Sequence, residues 1–186
     1  EGAVGIVRIS GENALAVGEK MFRAASGKKL VEYAPNTLVY GHVYEEDSLI
    51  DEVLAVYMKA PRSYTAEDVV EIQCHGGVQS LKKILELSYK EGARPAESGE
   101  FTKRAFLNGR IDLSQAEAVI DLIHATNEQA VKNSVRQLNG NLCRKIEKIR
   151  TSVLRDTAFI EAALDDPEHI SLDGFTETLQ EHTEKN

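Results

Sequence analysis

Arg8 and Glu71 are the charged residues best placed for chemistry, because each occupies a polar position inside a predicted strand. Arg8 belongs to Ala3–Ile9, where small and branched residues alternate, and Glu71 belongs to Val69–Cys74. Side chains at alternate strand positions project to one face of a sheet, where a guanidinium and a carboxylate can bind polar ligands. The two residues could instead form a cross-strand ion pair on a solvated face, and residue type alone favours that second interpretation.

Other reactive residue types lack the partners that catalysis would need. His75-Gly76-Gly77 resembles the oxyanion turn of esterases, but no G-x-S-x-G nucleophile motif accompanies it. His75 is therefore predicted to be a hydrogen-bonding residue at a strand end. The five histidines show no metal-ligand spacing, so no metal site is predicted. The chain contains neither G-x-x-x-x-G-K-[ST] nor N-K-x-D, so we expect it to be inactive on GTP.

Strand and helix patterns alternate in the first half of the chain and predict an α+β fold with a mixed sheet. Two further strands, Thr37–Tyr44 and Ile50–Met58, flank an acidic turn and predict a hairpin. Ser10 is expected to cap a helix that runs through about Phe22. Two more helices are predicted, from Gly77 to about Lys90 and from Ser98 to Gly109.

From Ser114 onwards the pattern is helical only. Ser114 and Glu117 match a capping box. An apolar stripe with spacings of three and four then predicts a long helix over about Asn127–Leu164, interrupted only at Gly140. The stripe drifts from strict heptads, which favours part of a helical domain over a coiled coil. The polar tail Ser171–Asn186 packs poorly on such a stripe.

The composition limits the class of function. The chain has 186 residues, a formal net charge of −8 and a hydrophobic share of 42%. These values allow a core and argue against a protein that mainly coats nucleic acid. No stretch approaches the roughly 20 apolar residues that a membrane helix requires, and the two cysteines lack C-x-x-C or zinc-finger spacing. We therefore expect reduced thiols and a cytoplasmic location.

Four segments stand out by their length and spacing. They are Gly5–Gly11 (GIVRISG), Tyr64–Gly77 (YTAEDVVEIQCHGG), Gly92–Arg110 (GARPAESGEFTKRAFLNGR) and Ile111–Val119 (IDLSQAEAV). In this order they resemble the N-terminal part of the MnmE/TrmE family of tRNA-modification GTPases. The last two segments form an almost uninterrupted run, and the resemblance covers roughly residues 1–167.

The resemblance implies a division into residues 1–113, a folate-binding and dimer-forming α+β domain, and residues 114–186, the first part of a helical domain. The folate domain is related to half of the glycine-cleavage aminomethyltransferase, and it binds 5-formyl- or 5,10-methylene-tetrahydrofolate. In the family, a potassium- and magnesium-dependent GTPase domain interrupts the helices. The intact protein, with the FAD-dependent partner MnmG, modifies C5 of the wobble uridine of tRNA. The resemblance implies that this chain stops before the GTPase domain.

Three residues match the family's folate contacts. Arg8 matches the arginine of its Arg-Ile-Ser-Gly motif, Glu71 the glutamate that ends Glu-Asp-Val-x-Glu, and Arg110 a basic residue after Asn-Gly that is lysine in some members. The chemistry agrees, since one carboxylate can accept both donors of a pterin edge and guanidinium groups suit the carboxylates of the folate tail. Without a folate tail nearby, Lys103, Arg104 and Arg110 are predicted to be an ordinary charged helix face.

Two alternatives remain open. The chain could be an autonomous aminomethyltransferase-like enzyme, but no internal repeat supplies the second half of a folate domain, which favours dimerisation. In addition, the helical half carries seven cations that could face tRNA, although a solvated face opposite the apolar stripe is the simpler interpretation. These cations are Lys132, Arg136, Arg144, Lys145, Lys148, Arg150 and Arg155.

Overall fold

The computed structural model describes residues 2–169, 174–176 and 179–180. Two compact units are present, Glu1–Ile111 and Asp112–Asn186. Most of the predicted polar tail Ser171–Asn186 lies outside the described residues.

The first unit is built on a five-stranded sheet in the order β1-β5-β4-β3-β2. Every pairing in it is antiparallel. The expected α+β class is therefore confirmed, and the sheet is antiparallel throughout rather than mixed. Its strands are β1 (Val4–Ser10), β2 (Phe22–Ala24), β3 (Leu38–Glu45), β4 (Ser48–Met58) and β5 (Val69–His75).

Six α-helices accompany the sheet within the described residues. Three belong to the first unit and contribute its second layer and one wall of the site: α1 (Ala14–Met21), α2 (Val78–Lys90) and α3 (Glu100–Leu107). The second unit consists of α4 (Leu113–His124), α5 (Glu128–Leu138) and α6 (Asn141–Asp165). None of these helices is long and apolar enough to cross a bilayer.

One face of the sheet packs against α1 and α2 and forms the core of the first unit. Strand alternation sends apolar side chains to this face, and burying each one stabilises the fold by about 1.5–3 kcal/mol. The buried side chains of this core include Val7, Ile9, Val70, Ile72, Ala55 and Tyr57 from the sheet, with Val17, Met21, Ile84 and Leu87 from the helices.

The opposite face carries two neighbouring rows of side chains that matter for function. Strand registers align each row across four strands. The first row is Arg8, Glu71, Val56 and Leu38. The second row is Ile6, Gln73, Leu54 and Tyr40, of which Ile6, Leu54 and Tyr40 are exposed.

The first unit differs from the sequence predictions at both ends of α1. The helix was expected to run through Phe22, but it ends at Met21, and Phe22 starts β2 by pairing with Val43. Ser10 was predicted to cap the helix. It instead ends β1, and Asn13 occupies the cap position. The Ser10 hydroxyl makes a hydrogen bond with the Thr65 hydroxyl, at 2.7 Å. This long-range contact replaces the expected bond to the backbone of the helix.

The second unit differs in two ways. The predicted helix Asn127–Leu164 is two helices, because Gly140 adopts a left-handed conformation with φ 69° that ends the helical path. The capping box lies two residues earlier than predicted: Asp112 accepts from the backbone N–H of Gln115, and Gln115 returns a bond to Asp112. A carboxylate is a strong N-cap, so it displaces Ser114 from that position.

We expect Gly41→Ala to destabilise the first unit. A Cβ atom at this position would lie 2.3 Å from the backbone carbonyl of Arg23 on β2, so one strand would have to shift. Overpacking of this kind costs about 1–3 kcal/mol. Urea unfolding of the purified chain measures the change. Gly77→Ala is the matched control, since a Cβ there has no neighbour within 4 Å. If the two variants unfold at the same urea concentration, the result contradicts the close approach of β2 to β3 at Gly41.

Candidate functional site

Arg8, Glu71 and Arg110, which lie far apart in sequence, meet around the ring of Tyr64. The Arg8 Nε atom donates to Glu71 Oε1 at 2.5 Å. The guanidinium carbon of Arg8 lies 5.7 Å from the centre of the Tyr64 ring and 5.7 Å from that of Phe101. The guanidinium carbon of Arg110 lies 5.1 Å from the Tyr64 ring. All three distances are within the range of cation–π attraction.

Glu71 is buried, with only 7% of its surface exposed. The antiparallel register places it directly opposite Arg8, so the cross-strand ion pair that residue type favoured is present. It does not lie on a solvated face, however, because the carboxylate is covered while 39% of the Arg8 side chain remains accessible. A buried charge must be paired to be tolerated, and Arg8 provides that partner.

The loop between β4 and β5 holds Tyr64 in place. Asp68 anchors the loop to β4, since one carboxylate oxygen accepts from the Tyr57 hydroxyl at 3.0 Å and the other from the Ala60 backbone N–H at 2.8 Å. Asn108, just after α3, donates to the Thr65 carbonyl at 2.7 Å. The Tyr64 hydroxyl itself bonds to Thr102 on α3, at 3.0 Å. The loop and α3 therefore form one wall beside Arg8.

Ion pairs lock this wall to the sheet. Arg104 on α3 donates to both oxygens of Glu67, at 3.0 and 3.1 Å, and Glu67 also accepts from the Ser10 hydroxyl at the end of β1. Arg104 was expected to be part of an ordinary charged helix face. It is instead partly buried between two carboxylates, Glu67 and Glu100.

Glu100 is the most strongly held carboxylate of the region. It pairs with Arg94, accepts from the Glu97 backbone N–H at 2.8 Å and accepts from Arg104 at 3.0 Å. These donors, the Arg94 guanidinium first, hold the pKa of Glu100 well below its usual range. The residue is 9% exposed, so this part of α3 is fixed by charge as well as by packing.

A cleft of about 400 Å³ opens beside Arg8. Its walls come from the start of α1, the end of α2 and the beginning of α3, and Arg8 and Phe101 lie on its lining. Two further guanidinium groups, Arg94 and Arg104, line the same cleft. Glu71, Tyr64 and Arg110 are not part of this lining, so the cleft meets the cluster around Tyr64 only at Arg8 and Phe101.

Comparisons with known proteins give two family matches. The family model described as GTP-binding protein TrmE N-terminus matches residues 1–110, and the model of the MnmE helical domain matches residues 113–185. The chain belongs to the MnmE/TrmE family. The resemblance seen in the four sequence segments is thereby confirmed.

Curated relatives of the family are similar over nearly the whole chain. The tRNA modification GTPase MnmE of Lachnoclostridium phytofermentans is 59% identical over 180 residues, which cover 96% of this chain and 39% of the relative. The protein of the same name from Clostridioides difficile is 53% identical over 189 residues, covering 100% of this chain and 40% of the relative. This chain thus spans about 40% of the length of the family members that it matches.

His75 lies at the end of β5, as predicted, where it makes hydrogen bonds. Its ring Nδ1 lies 2.7 Å from one Asp51 oxygen, and its backbone N–H donates to the other at 3.0 Å. The hydrogen bond to Asp51 raises the pKa of His75. Ser80 also donates to Asp51, at 2.7 Å, so this cluster ties β4 to the start of α2.

Tyr64 and Phe101 are site residues that sequence reasoning missed. Both lie inside the segments that carry the family resemblance, so the sequence analysis had already singled out the stretches that contain them. Their aromatic type was the available signal, since rings of this kind stack on planar ligands and on guanidinium groups. Within the described residues no cluster of histidine, cysteine, aspartate and glutamate could hold a metal ion.

We expect Glu100→Gln to remove a pH-dependent part of the stability. A carboxyl group whose pKa is depressed by folding stabilises the native state above its unfolded pKa, with a reference value of 4.5. That contribution is lost as pH falls towards the folded pKa. The difference in unfolding free energy between wild type and variant should therefore be largest at neutral pH and shrink between about pH 5 and pH 3.

Denaturant unfolding at several pH values checks this expectation. Glu86→Gln is the matched control, because Glu86 and its partner Lys82 are 3.8 Å apart and exposed, and such pairs contribute little. A constant difference between Glu100→Gln and wild type over the whole pH range would contradict the assigned role of Glu100.

Proposed function

We propose that this chain is a tetrahydrofolate-binding and dimerisation module of a tRNA-modification GTPase. The observation that carries the proposal is the convergence of Glu71, Arg8 and Arg110 around Tyr64. The ligand would be 5-formyl- or 5,10-methylene-tetrahydrofolate, which supplies a one-carbon unit when bound.

Glu71 is suited to the pterin end of such a ligand. Its hydrogen bond with Arg8 engages Oε1, which leaves Oε2 for donors of a ligand. The pair with Arg8 offsets part of the cost of burying this carboxylate, and hydrogen bonds to a charged acceptor are about twice as strong as those to a neutral one. Loss of this charge would therefore weaken the interaction with the donor edge of a pterin.

Arg8 and Arg110 are suited to the anionic part of the ligand. Arg8 bonds to Glu71 through Nε, so its two terminal nitrogens are available for a forked interaction with a carboxylate. The guanidinium carbon of Arg110 lies near the same Tyr64 ring, 5.1 Å from its centre. Two guanidinium groups near one ring provide both charge and a flat surface for binding.

The reaction of the whole protein is proposed from the family. The curated relatives are tRNA modification GTPases, and we propose that a protein containing this chain modifies C5 of the wobble uridine of tRNA together with an FAD-dependent, MnmG-type partner. Because this chain has no P-loop motif, GTP, magnesium and potassium would be bound by a separate GTPase domain. A cytoplasmic location is part of the same proposal.

A second copy of the chain is the proposed dimer partner. The sheet face that carries Arg8 and Glu71 also exposes apolar side chains: Val4 is 65% exposed and Ile6 is 52% exposed. Leu54 and Tyr40 extend this apolar surface along the row next to the site. Contiguous exposed apolar surface usually marks an interface, and an isologous dimer would cover it on both chains at once.

Calorimetry with 5-formyltetrahydrofolate tests the folate site. Glu71→Gln keeps the shape of the side chain but turns one acceptor into a donor aimed at the donors of the pterin. A charge-assisted hydrogen bond contributes about 1.5–3 kcal/mol, so we expect binding to weaken at least about tenfold. Arg110→Lys should have a smaller effect, because lysine keeps the charge and loses the fork.

Glu52→Gln is the matched control for this experiment. Glu52 lies on the same face of the sheet but outside the row of Arg8 and Glu71, opposite His42. The affinity of the Glu52→Gln variant for 5-formyltetrahydrofolate should equal that of the wild type. An absence of binding heat in the wild type, or equal affinity in Glu71→Gln, would reduce the Arg8–Glu71 pair to a structural contact and remove the folate proposal.

Light scattering at micromolar concentration tests the dimer. We expect the wild type to be a dimer and the double variant Ile6→Asp, Leu54→Asp to be a monomer, because a dry interface does not tolerate two unpaired carboxylates. The control places the same substitutions at Leu113 and Ile123 on α4, which are 60% and 72% exposed. If only the control dissociates, the helical unit and not the sheet makes the dimer.

A further inference from the structure

A basic hollow lies where α5 meets α6 in the second unit. Its volume is about 570 Å³, and it is lined by four cations and one amide: Arg136, Arg144, Lys145, Lys148 and Asn141. No carboxylate of the described part of the chain belongs to this lining. Four like charges around one concave surface repel one another unless an anion lies between them, so the hollow has the electrostatics of an anion-binding surface.

Six of the seven cations of the helical half fall into two kinds, and the seventh, Arg155, lies outside the hollow. Lys132 and Arg150 lie outside the hollow and are neutralised on their own helices, by Glu128 at 2.7 Å and by Glu147 at 3.1 Å. Among the cations that line the hollow, the two lysines and Arg136 have no ion-pair partner within the described residues. The positive charge is therefore concentrated at the hollow and is not spread evenly along a solvated helix face.

The backbone fixes the geometry of the hollow. Gly140, in its left-handed conformation, breaks the helical path and joins the two helices in an elbow. Arg144 is held across this elbow, because its Nη2 atom donates to the Asn139 carbonyl at 2.7 Å and to the Asn141 side chain at 2.6 Å. One guanidinium is thus anchored at the elbow, and the ammonium groups of Lys145 and Lys148 line the same hollow.

We propose that this hollow binds the phosphate backbone of a folded RNA. The inference rests on the proposed function, because tRNA is the partner that the function assigns. Lysine and arginine contacts with phosphates supply affinity and orientation without reading sequence. The hollow therefore positions tRNA and does not select among tRNAs.

Fluorescence anisotropy of a labelled tRNA transcript, titrated with the 186-residue chain at several salt concentrations, tests the proposal. The double variant Arg136→Ala, Lys148→Ala removes two cations of the hollow. We expect at least about fivefold weaker binding in it, and a slope of log affinity against log salt that is smaller by about 2.

The matched control is the double variant Lys132→Ala, Arg150→Ala. It also removes one cation from α5 and one from α6, but both are ion-paired and lie outside the hollow. Its affinity should stay within about twofold of the wild type, because an exposed, neutralised cation adds little to phosphate binding. Thermal unfolding of both variants verifies that each is folded.

Three results would overturn the proposal: no binding of tRNA by the wild type, equal weakening in the two double variants, or hollow-dependent binding to phosphatidylglycerol vesicles that tRNA does not compete away. Calorimetry with 5-formyltetrahydrofolate on the Arg136→Ala, Lys148→Ala variant distinguishes a failure of the RNA proposal from a failure of the folate proposal. The hollow lies in the second unit and Glu71 in the first, so folate affinity should be unchanged whichever way the RNA experiment ends.

Discussion

The candidate site of the first unit depends on one interaction, the pair between the buried carboxylate of Glu71 and the guanidinium of Arg8. Removing Glu71 from water costs several kcal/mol unless a cation accompanies it, and the register of β1 on β5 supplies Arg8 directly opposite. Because the pair is made by strand alignment, its geometry is as rigid as the sheet. The loop that carries Tyr64 and the helix that carries Phe101 then close around the arginine.

Each unit handles charge in its own way. In the first unit, carboxylates are shared among several donors: Glu67 accepts from both Arg104 and Ser10, and Glu100 accepts from more than one guanidinium. Such sharing joins separate segments of the chain into one body around the candidate folate site. In the second unit, Lys132 and Arg150 are paired on their own helices, whereas Lys145 has no ion-pair partner within the described residues. The first pattern builds structure and the second leaves binding capacity for an anion.

The sequence predicted α2 and the four longer strands well, because alternation of apolar residues and glycines at the ends of elements are local signals. It missed β2, since three residues are too few for a period and Phe22 joins the sheet only by pairing with Val43. It also assigned Ser10 to a helix cap, where a hydroxyl is common. Ser10 instead ends β1, and its hydroxyl bonds to Thr65, 55 positions away in the sequence. Residue type favoured a cross-strand pair of Arg8 and Glu71, but the register that makes it could not be read from either strand alone, because the two residues lie 63 positions apart.

The contact between α4 and α5 is of a different chemical kind from the rest. Gln115 donates to the Leu138 carbonyl at 2.6 Å, and Gln137 donates to the Ser114 carbonyl at 2.9 Å. Amides carry no net charge and do not titrate, so neither acid nor added electrolyte weakens these two bonds directly. The wall of the first unit, held by guanidinium–carboxylate pairs, responds to both conditions. Acid or added salt would therefore weaken the ion pairs that hold the wall of the first unit, while the two amide hydrogen bonds between α4 and α5 would remain. The two units would then differ in how far pH and ionic strength affect their stability.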